Sequence, residues 1–203
     1  MVESGGFYST FVDPLLVKMR EKVATSIEPG KKIIDIACGT GAQVFELAKH
    51  AEFVMGVDLS ESMINKAKQT KSRLGVQNVE FKVCDATGLL SFGEKEFDIS
   101  TMSLALHQFS PAQYSPILVE MKRISERIII VDYSVPLPKN IFGYGSKWAE
   151  FMAGLEHNRN FKKYYKNGGL NAILQEYEIT IENSVNFAGG AFQLVTGSFN
   201  HVK

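Results

Sequence analysis

The sequence predicts an α/β fold built on a doubly wound, mostly parallel sheet. Between residues 30 and 135, short apolar runs alternate with stretches of helical periodicity. The first run, at 33–36, leads directly into a loop with two glycines, Gly39 and Gly41, and then into a helical stretch. Short strands that are apolar on both faces are typical of parallel sheets covered by helices on each side.

Five parallel strands are predicted in this part of the chain, at 33–36, 52–57, 79–83, 97–104 and 127–131. A helix that begins near Asp13 precedes the first strand. Ser60 is a good N-cap for the helix after the second strand, because its hydroxyl accepts a free backbone N–H. Pro111 suits the first turn of the helix after the fourth strand, where an N–H has no partner in any case.

The alternation stops after Asp132, and an aromatic-rich stretch at 142–165 follows with irregular helical patterning. Two further apolar runs, at 179–187 and 191–198, flank a Gly-Gly pair, which predicts an antiparallel hairpin. The full prediction is therefore a seven-stranded sheet that ends in this hairpin. We expect one domain over 1–203, with a core at about 30–135, a helical insert at about 137–177 and the hairpin at about 178–199.

Composition excludes several classes of protein. The 22 Lys and Arg residues balance the 22 Asp and Glu residues, so net charge predicts no attraction to nucleic acid or to a membrane. The sequence shows no apolar run long enough to cross a bilayer and no secretory signal at its start. Two cysteines, Cys38 and Cys84, are too few for a disulfide framework or a zinc site, and we expect a reduced, cytoplasmic setting.

Polar side chains follow the predicted strands where the strands end. Asp58 comes about twenty residues after the glycine loop, Asp85 follows the third strand and His107 follows the fourth. Ligands of open parallel sheets bind beyond the carboxyl ends of the strands, and an acid at this spacing can accept the hydroxyls of a ribose. Glycines let a ligand approach the backbone closely. Strand-end aspartates also cap helices, which is the alternative reading of Asp58.

A dinucleotide is one ligand that this arrangement suggests, and the glycine spacing fits it poorly. The dinucleotide fingerprint places a third glycine or alanine to pack the helix against the strand. Counted from Gly39 that position is Val44, and counted from Ala37 it is Ala42, with alanine in place of the first glycine. The spacing therefore leaves a smaller ligand open.

The motifs resemble those of the class I S-adenosylmethionine-dependent methyltransferases, which have a Rossmann-like sheet. The stretch Ile33-Ile34-Asp35-Ile36-Ala37-Cys38-Gly39-Thr40-Gly41 is similar to the first motif, although Ala37 stands where the family usually has glycine. Val57-Asp58-Leu59-Ser60 and Val83-Cys84-Asp85-Ala86 resemble the second and third motifs, and the terminal hairpin matches the last two strands. The similarity is greatest to the small-molecule branch of ubiquinone and menaquinone methyltransferases.

This resemblance implies S-adenosylmethionine as cofactor, no metal, and a small-molecule acceptor. The backbone around Gly39, Thr40 and Gly41 would hold the amino-acid end of the cofactor, Asp58 the ribose and Asp85 the adenine amino group. Asp35 would order the loop by accepting its N–H groups. The expected cofactor-binding residues are Asp35, Ala37, Gly39, Thr40, Gly41, Asp58, Leu59, Met63, Asp85 and Ala86.

On the acceptor side, His107 is the candidate general base, and it could equally shape the pocket wall. The insert gathers aromatic residues after the fifth strand, where the acceptors of this family bind, so Trp148 and Tyr165 are candidate acceptor contacts. Tyr8 is a third candidate, near the start of the chain. Ordinary core packing of the insert and of the terminus also explains the presence of these aromatic residues.

Two other functions remain as alternatives on sequence grounds. The first is an NAD(P)-dependent oxidoreductase on a related sheet, which the glycine spacing and Asp85 disfavour. The second is a binding module that keeps the cofactor site without turnover, since His107 is the one obvious catalytic side chain. The sequence gives no indication of oligomeric state.

Overall fold

Seven strands of the computed structural model, which describes residues 13–152 and 154–199, form one sheet in the order β3-β2-β1-β4-β5-β7-β6. Strands β1 to β5 run parallel, and β7 lies antiparallel between β5 and β6. The α/β sheet and its antiparallel hairpin are thus confirmed. The strands are β1 Lys32–Ile36, β2 Phe53–Asp58, β3 Val79–Val83, β4 Phe97–Ser103, β5 Ser125–Tyr133, β6 Ile179–Phe187 and β7 Phe192–Phe199.

Helices cover both faces of this sheet. Ser60 caps one of them as expected, since its Oγ accepts the backbone N–H of Met63 at 3.4 Å. Pro111 begins another, as its fixed backbone angle favours. The helices are α1 Asp13–Thr25, α2 Ala42–Leu47, α3 Glu61–Leu74, α4 Pro111–Ile124, α5 Ile141–Met152, α6 Leu155–Lys166 and α7 Gly169–Glu176, with a 3₁₀ turn at Leu106–Gln108.

The core lies in two layers, one on each side of the sheet. Successive residues of a strand point to opposite faces, so Ile33 packs with α1, α2 and α3 while Ile34 packs with α4, α6 and α7. In β5, Ile129 lies in the same layer as Ile33, and Ile130 lies in the same layer as Ile34. Burying each such side chain contributes roughly 1.5–3 kcal/mol. Continuous apolar strands are therefore required in the middle of the sheet.

The strand order reverses between β1 and β4. From β1 the chain proceeds outward to β2 and β3, and it then crosses back to place β4 on the other side of β1. The pairing of β1 with β4 puts Asp35 opposite Thr101. The helices that follow these two strands leave in opposite directions, which opens a crevice at their carboxyl ends.

The insert consists of α5, α6 and α7, which follow β5 and precede the hairpin. Helix α6 packs against the 3₁₀ turn, and α7 packs against β5 and both strands of the hairpin. The insert therefore lies above the carboxyl ends of β4 and β5.

Among the residues that the structure describes, none of the helices has the length and apolar character needed to cross a membrane.

Candidate active site

Three alternate residues of the glycine loop adopt left-handed backbone conformations. Gly39 has φ +55° and Gly41 has φ +82°, and Ala37 has φ +58°. A Cβ on Gly41 would lie 2.7 Å from the ring of Phe81, whereas a Cβ on Gly39 would meet no atom within 4 Å. Gly39 is therefore the position open to a ligand. Gly41 has a different reason to be glycine, because it packs against Phe81 of β3.

Ala37 adopts a conformation that alanine disfavours. Left-handed backbone costs an L-residue with a side chain roughly 1–2 kcal/mol, and glycine avoids that cost. The glycine usual in the resembling family thus has a physical reason at this position. A hydrogen bond to β2 holds Ala37 in place, since the backbone N–H of the next residue, Cys38, donates to the Val57 carbonyl at 2.9 Å.

Asp58 joins the glycine loop to the end of β2. Its Oδ2 accepts the backbone N–H of Gly39 at 2.8 Å, and its Oδ1 accepts that of Ser60 at 2.8 Å. Asp58 thus caps its own turn, as the alternative reading expected, and it also binds the loop. Each carboxylate oxygen accepts more than one hydrogen bond, so the half-buried carboxylate keeps capacity for a diol.

Asp35 is buried beneath the loop and has a different partner from the one expected. Its Oδ1 accepts the Thr101 hydroxyl at 2.6 Å, while the Gly39 amide that it was expected to order donates to Asp58. Burial raises the pKa of the Asp35 carboxyl to about 7, the Thr101 hydrogen bond opposes this shift, and the negative charge of Asp58 adds to it. Asp35 therefore changes charge near neutral pH.

The ends of β2 and β3 carry the remaining expected cofactor residues. Asp85 Oδ1 accepts both the backbone N–H and the hydroxyl of Thr87 at 2.8 Å. Leu59 is 70% exposed and Met63 is 38% exposed, while Ala86 is buried. Because β2 and β3 are neighbours, this edge of the sheet presents apolar side chains beside two carboxylates.

His107 lies in a buried ionic cluster with Asp132 and Glu150. Its Nδ1 is 2.6 Å from Asp132 Oδ1, and its backbone N–H donates to Asp132 Oδ2 at 3.0 Å. On the other side, Nε2 is 3.3 Å from Glu150 Oε1, close enough for an ion pair but off the line of a hydrogen bond. The Tyr133 hydroxyl donates to the same Glu150 oxygen at 2.9 Å.

The two carboxylates keep His107 protonated. Burial alone would lower the pKa of the imidazole, but the charges of Asp132 and Glu150 outweigh burial and raise the pKa to about 9. Burial favours the neutral form of Glu150, yet the ion pair with His107 and the hydrogen bond from Tyr133 hold the pKa of Glu150 below its usual value. An imidazolium has no lone pair to accept a proton, so this geometry does not support a general base at neutral pH.

A cavity of about 360 Å³ opens between α5 and α6. Tyr165 lines it, and the other lining residues are Lys147, Phe151, Asn158, Phe161 and Lys162. Phe161 also contacts His107, with ring centroids 6.1 Å apart, so the cavity and the ionic cluster share a wall. Trp148 is half exposed on α5 and is not among the lining residues, and Tyr8 lies outside the described residues.

Asp132 and Glu150 are site residues that the sequence analysis missed. Asp132 stands at a strand end and could have been noted beside Asp58 and Asp85. Glu150 carries no such signal, because it is a single acid within an irregular helical stretch. Only the folded chain brings Glu150 of α5 to the Tyr133 hydroxyl and to His107.

Comparison with known proteins identifies the family of the chain. A family model described as methyltransferase domain matches residues 27–169. An uncharacterized methyltransferase of Synechocystis is 28% identical over 184 residues, covering 86% of this chain and 79% of that protein. A demethylmenaquinone methyltransferase of Beutenbergia cavernae is 32% identical over 133 residues, 64% of this chain. The chain spans about half the length of that relative, 48%.

Solved structures share the fold. An S-adenosylmethionine-dependent methyltransferase from Aquifex aeolicus superimposes with a TM-score of 0.66 at 20% identity and covers 88% of each chain. The magnesium protoporphyrin IX methyltransferase of Synechocystis, solved with bound S-adenosylhomocysteine, has a TM-score of 0.59 at 20% identity. That comparison covers 93% of this chain and 82% of the neighbour. At this identity the likeness establishes the sheet and its helices.

Substitution of the two loop glycines separates their roles. Gly39→Ala and Gly41→Ala both place a side chain in left-handed backbone, which costs roughly 1–2 kcal/mol. We expect Gly41→Ala to cost about 1–3 kcal/mol more, because its methyl group must displace the Phe81 ring. Urea unfolding of both variants measures the difference, and equal losses would show that Phe81 moves aside freely.

Asp35→Asn tests the buried carboxyl through the pH dependence of stability. A pKa raised to about 7 in the folded state means that stability from the neutral carboxyl is complete below about pH 4 and is lost as pH rises through 7. Asparagine does not ionise, so we expect the variant to gain stability over the parent at pH 8 and little at pH 4. Thermal unfolding at both pH values measures this.

Asp98→Asn provides the matched control, since it removes a half-exposed carboxylate at the opposite end of β4. Its difference from the parent should not grow with pH. A pH-independent effect of Asp35→Asn would contradict the raised pKa.

Proposed function

Because the chain belongs to the methyltransferase domain family, we propose that it transfers the methyl group of S-adenosylmethionine to a small-molecule acceptor. The observation that carries this proposal is the hydrogen bond from the Gly39 amide to Asp58. It fixes an open glycine and a carboxylate at one edge of the sheet, beside the exposed side chain of Leu59. One ligand with an amino-acid end, a ribose and a purine would use the open glycine, the carboxylate and the apolar side chain together.

The residues at this edge fit the chemistry of the cofactor. The open side of Gly39 would admit its amino-acid end to the backbone of Thr40 and Gly41. Asp58 would accept the ribose hydroxyls, and Asp85 the adenine amino group. Leu59, Met63 and Ala86 would provide apolar contact for the ring, while Ala37 and Asp35 support the loop from below. When bound, the cofactor supplies a methyl group activated by its sulfonium charge.

The contribution of the chain itself is positioning and exclusion of water. The acceptor must approach the methyl group in line, and holding two reactants in such a geometry accounts for much of a rate enhancement. The insert covers the carboxyl ends of β4 and β5, next to the crevice at the strand reversal. We assign the acceptor to this region, with Tyr165 in the cavity wall.

Buried polar atoms support the presence of a polar acceptor group under the insert. Six buried side-chain oxygen or nitrogen atoms lack a hydrogen-bond partner within the described part of the chain, and such atoms are few in folded proteins. Five of the six belong to the last residue of β4, the residue directly after β5, or the helical elements near these strand ends. They are Ser103 Oγ, His107 Nε2, Tyr114 OH, Ser134 Oγ and Glu150 Oε2.

His107 fits a positioning role better than a base role. As an imidazolium it holds Glu150 of α5 against β5, and it therefore fixes the insert over the acceptor region. Its Nε2–H could donate to an acceptor oxygen but could not remove a proton from it. Trp148 is half exposed and is not among the residues that line the cavity, so we assign acceptor contact to Tyr165 and not to Trp148.

Two further observations support the proposed acceptor class and location. The relatives named demethylmenaquinone methyltransferase act, by that name, on a small molecule, which supports the same class of acceptor here. Cys38 and Cys84 are both free thiols, and this supports the reduced, cytoplasmic setting expected from composition.

Calorimetry tests the cofactor assignment. We expect S-adenosylmethionine and S-adenosylhomocysteine to bind and NAD not to bind. Asp58→Ala should weaken S-adenosylhomocysteine binding by about tenfold or more, because a hydrogen bond to a charged group contributes roughly 1.5–3 kcal/mol. Asp98→Ala is the control, since Asp98 likewise accepts a backbone N–H, that of Lys32, at the far end of the sheet. Unchanged affinity in Asp58→Ala, or binding of NAD alone, would refute the assignment.

The titration of His107 distinguishes a positioning residue from a base. The pKa of about 9 exceeds the usual 6.5, so its stabilising effect is complete below about pH 6.5 and is lost as pH rises through 9. We expect Glu150→Gln to lower this pKa, as followed by NMR of the imidazole, and to flatten the loss of stability between those pH values. Glu156→Gln, which changes an exposed acid of α6, should do neither.

Activity of the same variants completes the test once an acceptor is identified. A general base would give a rate that rises with pH through the pKa of His107, and His107→Ala would lose roughly 10²–10⁴-fold. A positioning role predicts a rate that does not follow this titration between pH 6 and 8, and a rise in KM for the acceptor in Glu150→Gln. A rate that tracks the titration would restore the base role.

A further inference from the structure

Helix α5 presents its polar face to the core and its apolar face to the outside. Its inward face carries Ser146 and Glu150, both buried. Its outward face carries large apolar side chains that are between half and three quarters exposed. They are Ile141, Tyr144, Trp148, Phe151 and Met152. A surface helix normally buries its apolar face and exposes its polar one, so this arrangement requires a reason.

Specific contacts hold the polar face of α5 inward. Glu150 accepts the Tyr133 hydroxyl and faces the His107 imidazolium. The buried Ser146 hydroxyl is satisfied within α5 itself, since it donates to the Phe142 carbonyl at 2.9 Å. Turning the helix over would take Glu150 away from the buried His107 imidazolium and leave that imidazolium with Asp132, and the loss of one partner from a buried ionic cluster is costly. The outward orientation of the apolar residues is therefore fixed by the ionic cluster.

The outward face of the neighbouring helix α6 is basic. Arg159, Lys162, Lys163 and Lys166 follow one another at helical spacing, and all four are exposed. The opposite side of the same helix is buried through Asn160, Phe161 and Tyr164. Four cations thus stand in a row beside the apolar face of α5, and the sequence of α6 includes one acid, Glu156.

The apolar face and the basic face meet at the cavity between the two helices. Phe151 belongs to the apolar face and Lys162 to the basic face, and both line this cavity. Lys147 of α5 adds another ammonium group to the same wall. The two outward faces therefore form one continuous surface, apolar on one side and cationic on the other, which we term the α5–α6 face.

We propose that the α5–α6 face binds the surface of an anionic lipid bilayer. Interfacial helices bury Trp, Tyr and aliphatic side chains at the headgroup boundary and place Lys and Arg against anionic headgroups. The α5–α6 face has both groups of residues in adjacent rows. The balanced net charge of the chain suggested no attraction to membranes, but the structure separates the charges, and the local charge governs docking over a Debye length.

The chain carries its own reporter for this interaction. Trp148 is its single tryptophan, and it is half exposed at the centre of the apolar face. We expect the Trp148 emission to shift to shorter wavelength on vesicles of equal parts phosphatidylglycerol and phosphatidylcholine. The protein should co-sediment with these vesicles, and pure phosphatidylcholine should have little effect. No methyl transfer is needed for this measurement, so its outcome is independent of the catalytic assignment.

Two variants test the two halves of the α5–α6 face, and both leave Trp148 in place. Lys162→Glu with Lys163→Glu reverses the charge, and Phe151→Ser with Met152→Ser removes apolar area. Each should weaken co-sedimentation by about tenfold or more. Lys66→Glu with Lys68→Glu, and Leu74→Ser, make the same kinds of change on exposed positions of α3 and should have little effect. Thermal unfolding confirms that each variant is folded.

Three results would overturn the proposal. The first is no spectral shift and no co-sedimentation with anionic vesicles at low salt. The second is an emission already typical of a buried indole in dilute protein without lipid, because another part of the chain would then cover the apolar face. The third is a self-associated species, seen by sedimentation velocity, that Phe151→Ser with Met152→Ser dissociates while vesicles remain unbound, which would assign the face to a second copy.

Discussion

Asp35 on β1 and Thr101 on β4 lie opposite each other where the strand order reverses, and a 2.6 Å hydrogen bond joins their side chains beneath the glycine loop. The two strands must pair in this register for the crevice to open above them. Once they do, the loop after β1 faces the turn after β2, and Asp58 binds it. The first turn after β4 then brings His107 to Asp132 at the end of β5. The two halves of the site thus depend on one strand pairing.

The local patterns were enough to predict the sheet, because each strand is an apolar run that ends in a glycine, an acid or a cap. The same patterns placed Asp58 and Asp85 at the carboxyl ends of two strands, and in the structure these strands, β2 and β3, are neighbours. They could not identify Thr101 as the partner of Asp35, since the two residues are 66 positions apart in the chain and meet only through the register of β1 and β4. The contact of Gly41 with Phe81 was missed for the same reason, because it depends on how α2 packs over β3.

The insert illustrates a different limit of sequence reasoning. Aromatic residues at helical spacing predict a buried face, and Tyr164 does lie fully in the core. In α5 the prediction fails, because Glu150 is needed by His107 and its burial forces Trp148 outward. Removing one partner of a buried ion pair costs about 3–5 kcal/mol, more than exposure of an aromatic side chain. One acid therefore determines which face of the helix meets solvent.

The place of β7 in the sheet has a consequence for how the protein matures in a cell. This strand follows β6 in the chain, yet it lies between β5 and β6 and pairs with both. A nascent chain that has emerged only as far as β6 has no partner for the outer edge of β5, although all the residues of the candidate site are already synthesised. Unpaired strand edges are sites of aggregation. A holdase that shields β5 until β7 emerges would therefore raise the yield of folded protein.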